Sequence, residues 1–322
     1  MAELESLYGD SVITPIGNIA ALIDVDPCLL AFDRLGGSIK FCKVLTILPT
    51  NRWEDVEKFL KEVSPAHAKE MAGGKMNIGL SVYGLRLDPK RLMHTALSLK
   101  KAIKGVGKSV RIVPNKELSL SSAQVIYNKL TGPNGWELVF VIDGTQTIVA
   151  QTIKEQDINS YSFRDRDRPK RDSRVGMLPP KLAQIIINLA TGELPKEKLQ
   201  SICEIPEGQA IPRPDFDELI LDPFCGTGVV LQEALLMGYR VSGSDIDERM
   251  IDYSAANLKW LTTTYPLEHS EDAILEVGDA TSFVWDKTPK FIASEAYLGQ
   301  PFTSQPSDGE IAQNVSTTNL II

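Results

Sequence analysis

The stretch Leu221-Asp222-Pro223-Phe224-Cys225-Gly226-Thr227-Gly228 lies between a short strand-like run, 218–222, and an apolar helical run, 229–237, ended by Gly238. A strand that enters a glycine turn and leaves as a helix is the building block of parallel α/β sheets. Glycines at such a bend let the backbone turn tightly and approach a ligand closely. The helix that follows offers unpaired N–H groups and the positive end of its dipole. The dinucleotide fingerprint would want a third glycine, and Leu231 stands in that place, which argues against NAD or FAD. The turn suits the carboxylate and amino groups of an amino-acid-like ligand, with Asp222 just before it.

The alternation continues beyond the turn. Strands are expected at 239–244, 273–277 and 290–294, and a helix at 248–261. An acid at the end of the second strand of such a unit holds ribose hydroxyls, and Asp245, in Gly243-Ser244-Asp245-Ile246-Asp247, has that position. Ile246 is placed to pack on an adenine face, and Asp247 reads as the N-cap of the next helix. Asp279, followed by Ala280, closes the third strand, where an adenine amino group would lie.

Upstream the chain is a different module. A strand is expected at 41–48, followed by a helix at 53–63 with Val56, Phe59, Leu60 and Val63 on one face. Residues 77–153 then read strand, helix, strand, helix, strand, strand, with Asp143-Gly144 as the hairpin turn. The net charge of −8 conceals a division. Residues 1–203 carry 28 Lys+Arg against 22 Asp+Glu, and residues 204–322 carry 6 against 20. A basic front half is suited to a polyanion. Its candidate contacts are Lys100, Lys101, Lys104 and Lys108 on and after one helix, and the run Arg164, Arg166, Arg168, Lys170 and Arg171. That run is interleaved with Asp165, Asp167 and Asp172 and lacks apolar periodicity, so a linker or surface loop is expected at 159–178. The next helix starts at Pro179-Pro180.

Composition excludes several classes. Hydrophobic residues make up 43% and charged residues 24% of 322, which fits a globular chain of about two domains rather than disorder or a fibrous repeat. No apolar run reaches the ~18 residues of a membrane helix. The start Met1-Ala2-Glu3-Leu4-Glu5 lacks signal-peptide character. Cys28, Cys42, Cys203 and Cys225 are scattered, so neither a disulfide framework nor a zinc knuckle is expected, and a cytoplasmic protein fits. His67, His94 and His269 show no metal spacing, and no metal site is expected.

Taken together, Asp-Pro-Phe-Cys-Gly-Thr-Gly, Gly-Ser-Asp-Ile-Asp and Gly-Asp-Ala resemble the S-adenosyl-L-methionine site of a class I methyltransferase. The wording resembles the THUMP-domain tRNA guanosine-N2 methyltransferases, as do Arg-Asp-Arg-Pro and Gly-Met-Leu-Pro-Pro-Lys-Leu-Ala between 164 and 190. The resemblance implies an α/β chain: an N-terminal α+β THUMP-like RNA-binding region followed by a Rossmann-like methyltransferase domain. The corresponding divisions are an α+β, ferredoxin-like subdomain at 1–72, the THUMP-like domain at 73–158, a charged linker at 159–178, the methyltransferase domain at 179–302 and a polar tail of low order at 303–322. It also implies that Asp222, Pro223, Cys225, Gly226, Thr227, Gly228, Asp245, Ile246, Asp279 and Ala280 hold the cofactor, and that a structured RNA, tRNA first, is the partner.

The family's catalytic motif, Asp or Asn, Pro, Pro and an aromatic, follows the fourth strand. Its acceptor oxygen aims the amine's lone pair, and the aromatic stacks on the base. This chain has Ser294-Glu295-Ala296-Tyr297 there, without prolines. Either Glu295 replaces the Asp, or Ser294 takes the first place and Tyr297 the fourth. Only 28 residues follow Ser294, whereas the family's sheet has three further strands. The domain therefore looks C-terminally incomplete: a fragment, a chain whose sheet a partner chain completes, or a shortened domain that binds RNA without catalysis.

Overall fold

The computed structural model describes residues 1–71, 73–172, 177–203, 216–265, 267, 273–297 and 304–321. The expected domain boundary at 302 and His269 lie outside them. Helix α1 (Ala2–Tyr8) opens the chain, followed by the hairpin strands β1 (Ile13–Ile16) and β2 (Ala20–Ile23). Then come β3 (Lys40–Leu48), α2 (Trp53–Glu70), β4 (Met76–Tyr83), α3 (Pro89–Gly105), β5 (Val110–Ile112), α4 (Ser122–Tyr127), β6 (Gly135–Asp143) and β7 (Gln146–Glu155). The chain folds into two compact units, the first made of Ile13–Asp24 and Ser38–Ile158.

The first unit is a five-stranded mixed sheet in the order β3-β7-β6-β4-β5. Both faces of its central strands are buried, which explains their nearly continuous apolar sequence. Leu80, Leu138 and Phe140 pack against Val56 and Leu60 of α2 and Leu92 and Leu99 of α3. On the other face Val139, Val141 and Ile148 meet Ile16 of the hairpin. Helix α4 is fixed by a capping box between Ser121 and Gln124. One polar group is sealed into the sheet: the fully buried Glu137 accepts from Ser81 Oγ and Thr152 Oγ1, each at 2.6 Å, and pairs with Lys40. Strand β3 is part of this sheet, so the boundary expected at 72/73 does not divide two structures. The long-range pairing of β3 with β7 could not be read from local periodicity.

The second unit gathers Ala2–Val12, Val25–Gly37 and Asn159–Ile322. Its elements are α5 (Ile158–Arg166), α6 (Pro180–Thr191), α7 (Lys196–Cys203), β8 (Phe216–Asp222), α8 (Val229–Leu236), β9 (Tyr239–Asp245), α9 (Glu248–Thr264), β10 (Ile274–Val277), β11 (Phe291–Ile292) and α10 (Asp308–Ile321). All four strands pair in parallel, in the order β10-β9-β8-β11. The chain starts at β8, steps outward to β9 and β10, and returns to the other side of β8 for β11. The order reverses between β8 and β11, the switch point at whose carboxyl end such sheets take ligands.

Three expectations are corrected in this unit. The charged run at 159–178 is not a loop throughout: α5 packs Phe163 on Trp260, with ring centroids 5.1 Å apart. The polar tail at 303–322 contains a helix, because Ser307 and Glu310 form a reciprocal cap at its start, Ser307 N donating at 2.7 Å. The N-terminal 37 residues do not all belong with the sheet of the first unit. Glu3 accepts from Gly36 N and Gly37 N, both at 2.9 Å, and from Asn188 Nδ2 of α6 at 2.7 Å.

Candidate functional site

The glycine turn follows β8 directly, at the switch point between β8 and β11. Gly226 and Gly228 have φ of 51° and 82°, a region that a side chain disfavours. A Cβ on Gly228 would lie 2.8 Å from Ser254 Oγ, whereas one on Gly226 would meet nothing within 4 Å. The first glycine therefore leaves open backbone, and the second lets α9 close on the turn. Ser254 Oγ donates to Gly226 O at 2.8 Å, and Asn257 Nδ2 to Thr227 O at 2.9 Å. Neither α9 residue was legible as part of the site, since a Ser and an Asn inside a helix carry no spacing signal.

Leu231 did not leave the helix without a close approach to the sheet. The third glycine of the fingerprint normally provides that approach; here Gly243 of β9 does. A Cβ on Gly243 would sit 2.5 Å from Leu231 Cδ1 and 3.0 Å from Cys225 Cβ. Cys225 is buried, and burial pushes its thiol far above the ordinary range, so it packs and does not act as a nucleophile.

Asp245 spans the turn. Its Oδ2 accepts from Gly226 N at 2.9 Å and its Oδ1 from Asp247 N at 3.0 Å. A carboxylate has about four lone-pair positions, so acceptor capacity remains for ligand hydroxyls. Asp247 caps α9 as expected, accepting from Arg249 N at 2.9 Å. Ile246 beside it is 72% exposed. Asp279 turns back on its own loop, accepting from Thr281 N at 2.9 Å and Thr281 Oγ1 at 2.7 Å, and these bonds hold its carboxyl below the usual range. Ala280 beside it is half-buried.

Asp222 is the electrostatic centre. It is 2% exposed. Its Oδ1 accepts from Ser294 Oγ at 2.6 Å and from Phe224 N at 3.1 Å. Burial raises its pKa to about 7; the charges of Asp245 and Glu295 push the same way, and the two hydrogen bonds oppose them. The structure thus joins Ser294, beyond β11, directly to the glycine turn. Glu295 is exposed and Tyr297 half-buried, and no side-chain bond ties either to the turn among the described residues.

The expected RNA contacts divide. Lys101, Lys104, Arg166, Lys170 and Arg171 are exposed, and Lys100 is half-buried. Lys108 donates to Met71 O at 3.1 Å. Arg164 and Arg168 are corrected: both are buried. Arg164 holds Glu233 of α8 through Nε at 2.6 Å and Nη2 at 3.1 Å. A charge-dense run reads as solvated, and only the tertiary contact shows that one cation pairs inward.

A parallel sheet with this order, a glycine turn after its first strand and an acid closing its second define a Rossmann-like α/β domain. Over part of its length the chain is similar to proteins named tRNA (guanine(10)-N2)-dimethyltransferase. It is 30% identical over 159 residues to a tRNA (guanine(10)-N2)-dimethyltransferase of Pyrococcus abyssi, covering 48% of this chain and 35% of that protein. A protein of the same name from Methanocaldococcus jannaschii is 27% identical over 164 residues, covering 51% and 36%. The chain thus spans about a third of the length of these relatives. The solved TrmN of Thermus thermophilus aligns with a TM-score of 0.41 at 16% identity, over 76% of this chain and 58% of that one. No family profile matches the chain.

Proposed function

We propose that this chain belongs to the machinery of an S-adenosylmethionine-dependent RNA methyltransferase that modifies the exocyclic N2 amine of a guanosine in tRNA. The carrying observation is the clasp at the switch point, where Asp245 holds the open Gly226 turn and Asp222 is bonded to Ser294. When bound, the cofactor supplies a methyl group on a cationic sulfur. Gly226, Thr227 and Gly228 with Pro223 and Cys225 form the bed for its amino-acid end, and Asp222 answers the positive charge. Asp245 takes the ribose hydroxyls and Ile246 one adenine face, with Asp279 and Ala280 at the adenine edge.

For the acceptor, Glu295 accepts a proton-bearing bond from the guanine amine and aims its lone pair, while Tyr297 stacks on the base. Ser294 already serves Asp222, so the acceptor role falls to Glu295. Lys100, Lys101 and Lys104 of α3, and the exposed Arg166, Lys170 and Arg171, meet RNA phosphates in a salt-sensitive way. The compartment of this reading is the cytoplasm; no helix of the described residues is long and apolar enough to cross a membrane. A strand from a partner chain would pair with the outer edge of β11, where Ile292 is 62% exposed and no neighbour strand lies among the described residues.

The test is transfer of tritiated methyl to a tRNA transcript and to the same transcript with inosine, which lacks the N2 amine, in place of guanosine. Label on the first and none on the second is expected. Equal labelling, or RNA retention on filters with no transfer, overturns the reading.

A further inference from the structure

Arg168 is 3% exposed, and none of its three guanidinium nitrogens has a hydrogen-bond partner among the described residues. A buried charge is normally paired, because desolvating it alone is costly. Glu233 and Asp172 bond to other cations. Glu233 is held by Arg164 and also accepts from Gln184 Nε2 at 3.1 Å. Asp172 pairs with Arg249 at 3.1 Å. Asp165 and Glu233 attract Arg168 and Arg171 repels it, but none of them bonds to its guanidinium. Among the described residues, no acid bonds to this buried guanidinium.

The position of Arg168 relates it to the glycine turn. Two residues on, Lys170 is stapled by Asn257: Lys170 N donates to Asn257 Oδ1 and Asn257 Nδ2 donates to Lys170 O, both at 2.9 Å. The same Nδ2 reaches Thr227 O of the turn at 2.9 Å. Two residues span at most about 7 Å, so Arg168 sits on a strap fastened to the turn itself. Arg is the residue suited to bidentate pairing with a planar oxyanion. At 3% exposure, an RNA backbone lying on the surface would not meet it without displacing the strap, and Arg166, Lys170 and Arg171 are already exposed for phosphates.

We infer that Arg168 is the counter-charge for the carboxylate of the methyl donor's amino-acid end, a contact formed under the strap when the donor occupies the glycine turn. This rests on the cofactor reading above. Its consequence is selective: Arg168 discriminates donors by their carboxylate, not by their nucleoside.

Titration calorimetry with S-adenosylmethionine and with its decarboxylated analogue tests this, alongside thermal melts without ligand. The wild-type chain should bind the carboxylate-bearing donor about tenfold to a hundredfold more tightly, the range of a charge-assisted hydrogen bond. Arg168→Gln should lose that preference, keep its affinity for the analogue, and melt no lower than wild type, since it removes an unpaired buried charge. Arg168→Lys should recover part of the preference. An Arg168→Gln chain that still prefers the carboxylate, or that loses both ligands equally, overturns the inference while leaving the cofactor reading standing. So does a variant with unchanged preference but weaker, less salt-dependent tRNA binding, which would assign Arg168 to a phosphate. If the folded wild-type chain binds neither ligand, the cofactor reading itself falls.

Discussion

Two carboxyl groups in this protein are held near neutrality by burial, and they have different surroundings. Glu155 rises to about 7 although Lys40 lies 3.8 Å away. Asp222 rises to about 7 inside the candidate site. In the unfolded chain an Asp titrates near ~3.9. Between that value and about 7 the folded state retains a proton that the unfolded state has lost. Asp222 therefore lowers stability as pH rises through that window, and its effect is flat above it. Asp222→Asn should remove this part of the slope, seen as the difference between wild-type and variant melting profiles from pH 4 to 8. A cation bound beside Asp222 favours its ionised form, so cofactor affinity should climb with pH up to about 7 and then level. Calorimetry in buffers of different ionisation enthalpy should show release of up to about one proton in wild type and less in the variant.

At the level of elements, the site is held by α9 as much as by the turn. Asn257 is fully buried and bonds to both Thr227 and Lys170. Asn257→Ala removes the bonds to the buried Thr227 carbonyl and to the part-buried N–H and carbonyl of Lys170, at about 1–3 kcal/mol for a group left buried and unpaired. A loss of roughly 2–4 kcal/mol in urea unfolding is expected on that basis. Asn257→Asp keeps the acceptor for Lys170 N but not the donor, so it should fall between. The α5 helix shows where reading from sequence stopped. Arg164 is spaced like a surface charge, yet it faces Glu233 inside the unit. Removing Glu233 alone would strand Arg164, at about 3–5 kcal/mol. The glycine turn itself was legible, because only glycine tolerates two left-handed residues beside a strand end.

The whole molecule is not divided where its sequence changes character. The second unit takes Ala2–Val12 and Val25–Gly37 from the far end of the chain. Glu3, Arg34 and Asn188 form one buried network: Arg34 Nε donates to Asn188 Oδ1 at 2.9 Å and Arg34 Nη2 to Tyr239 Oη at 2.6 Å. A chain beginning at Asn159 would leave Asn188 and Tyr239 without these partners. It should fail to give a cooperative thermal transition, whereas adding residues 1–37 as a separate peptide should recover part of it, measured by circular dichroism. What the sequence alone determined was everything local: a strand, a bend of glycines, a helix and an acid seventeen residues beyond Gly228, since backbone freedom and side-chain period are written residue by residue. Only the tertiary structure decided that Gly243 takes over the packing role of a missing glycine, that Ser294 reaches Asp222, and that Arg168 is buried with no hydrogen-bond partner among the described residues. Those are contacts between residues far apart in the chain, and hydrogen-bond and charge pairing inside a fold leave no periodic trace in the order of amino acids.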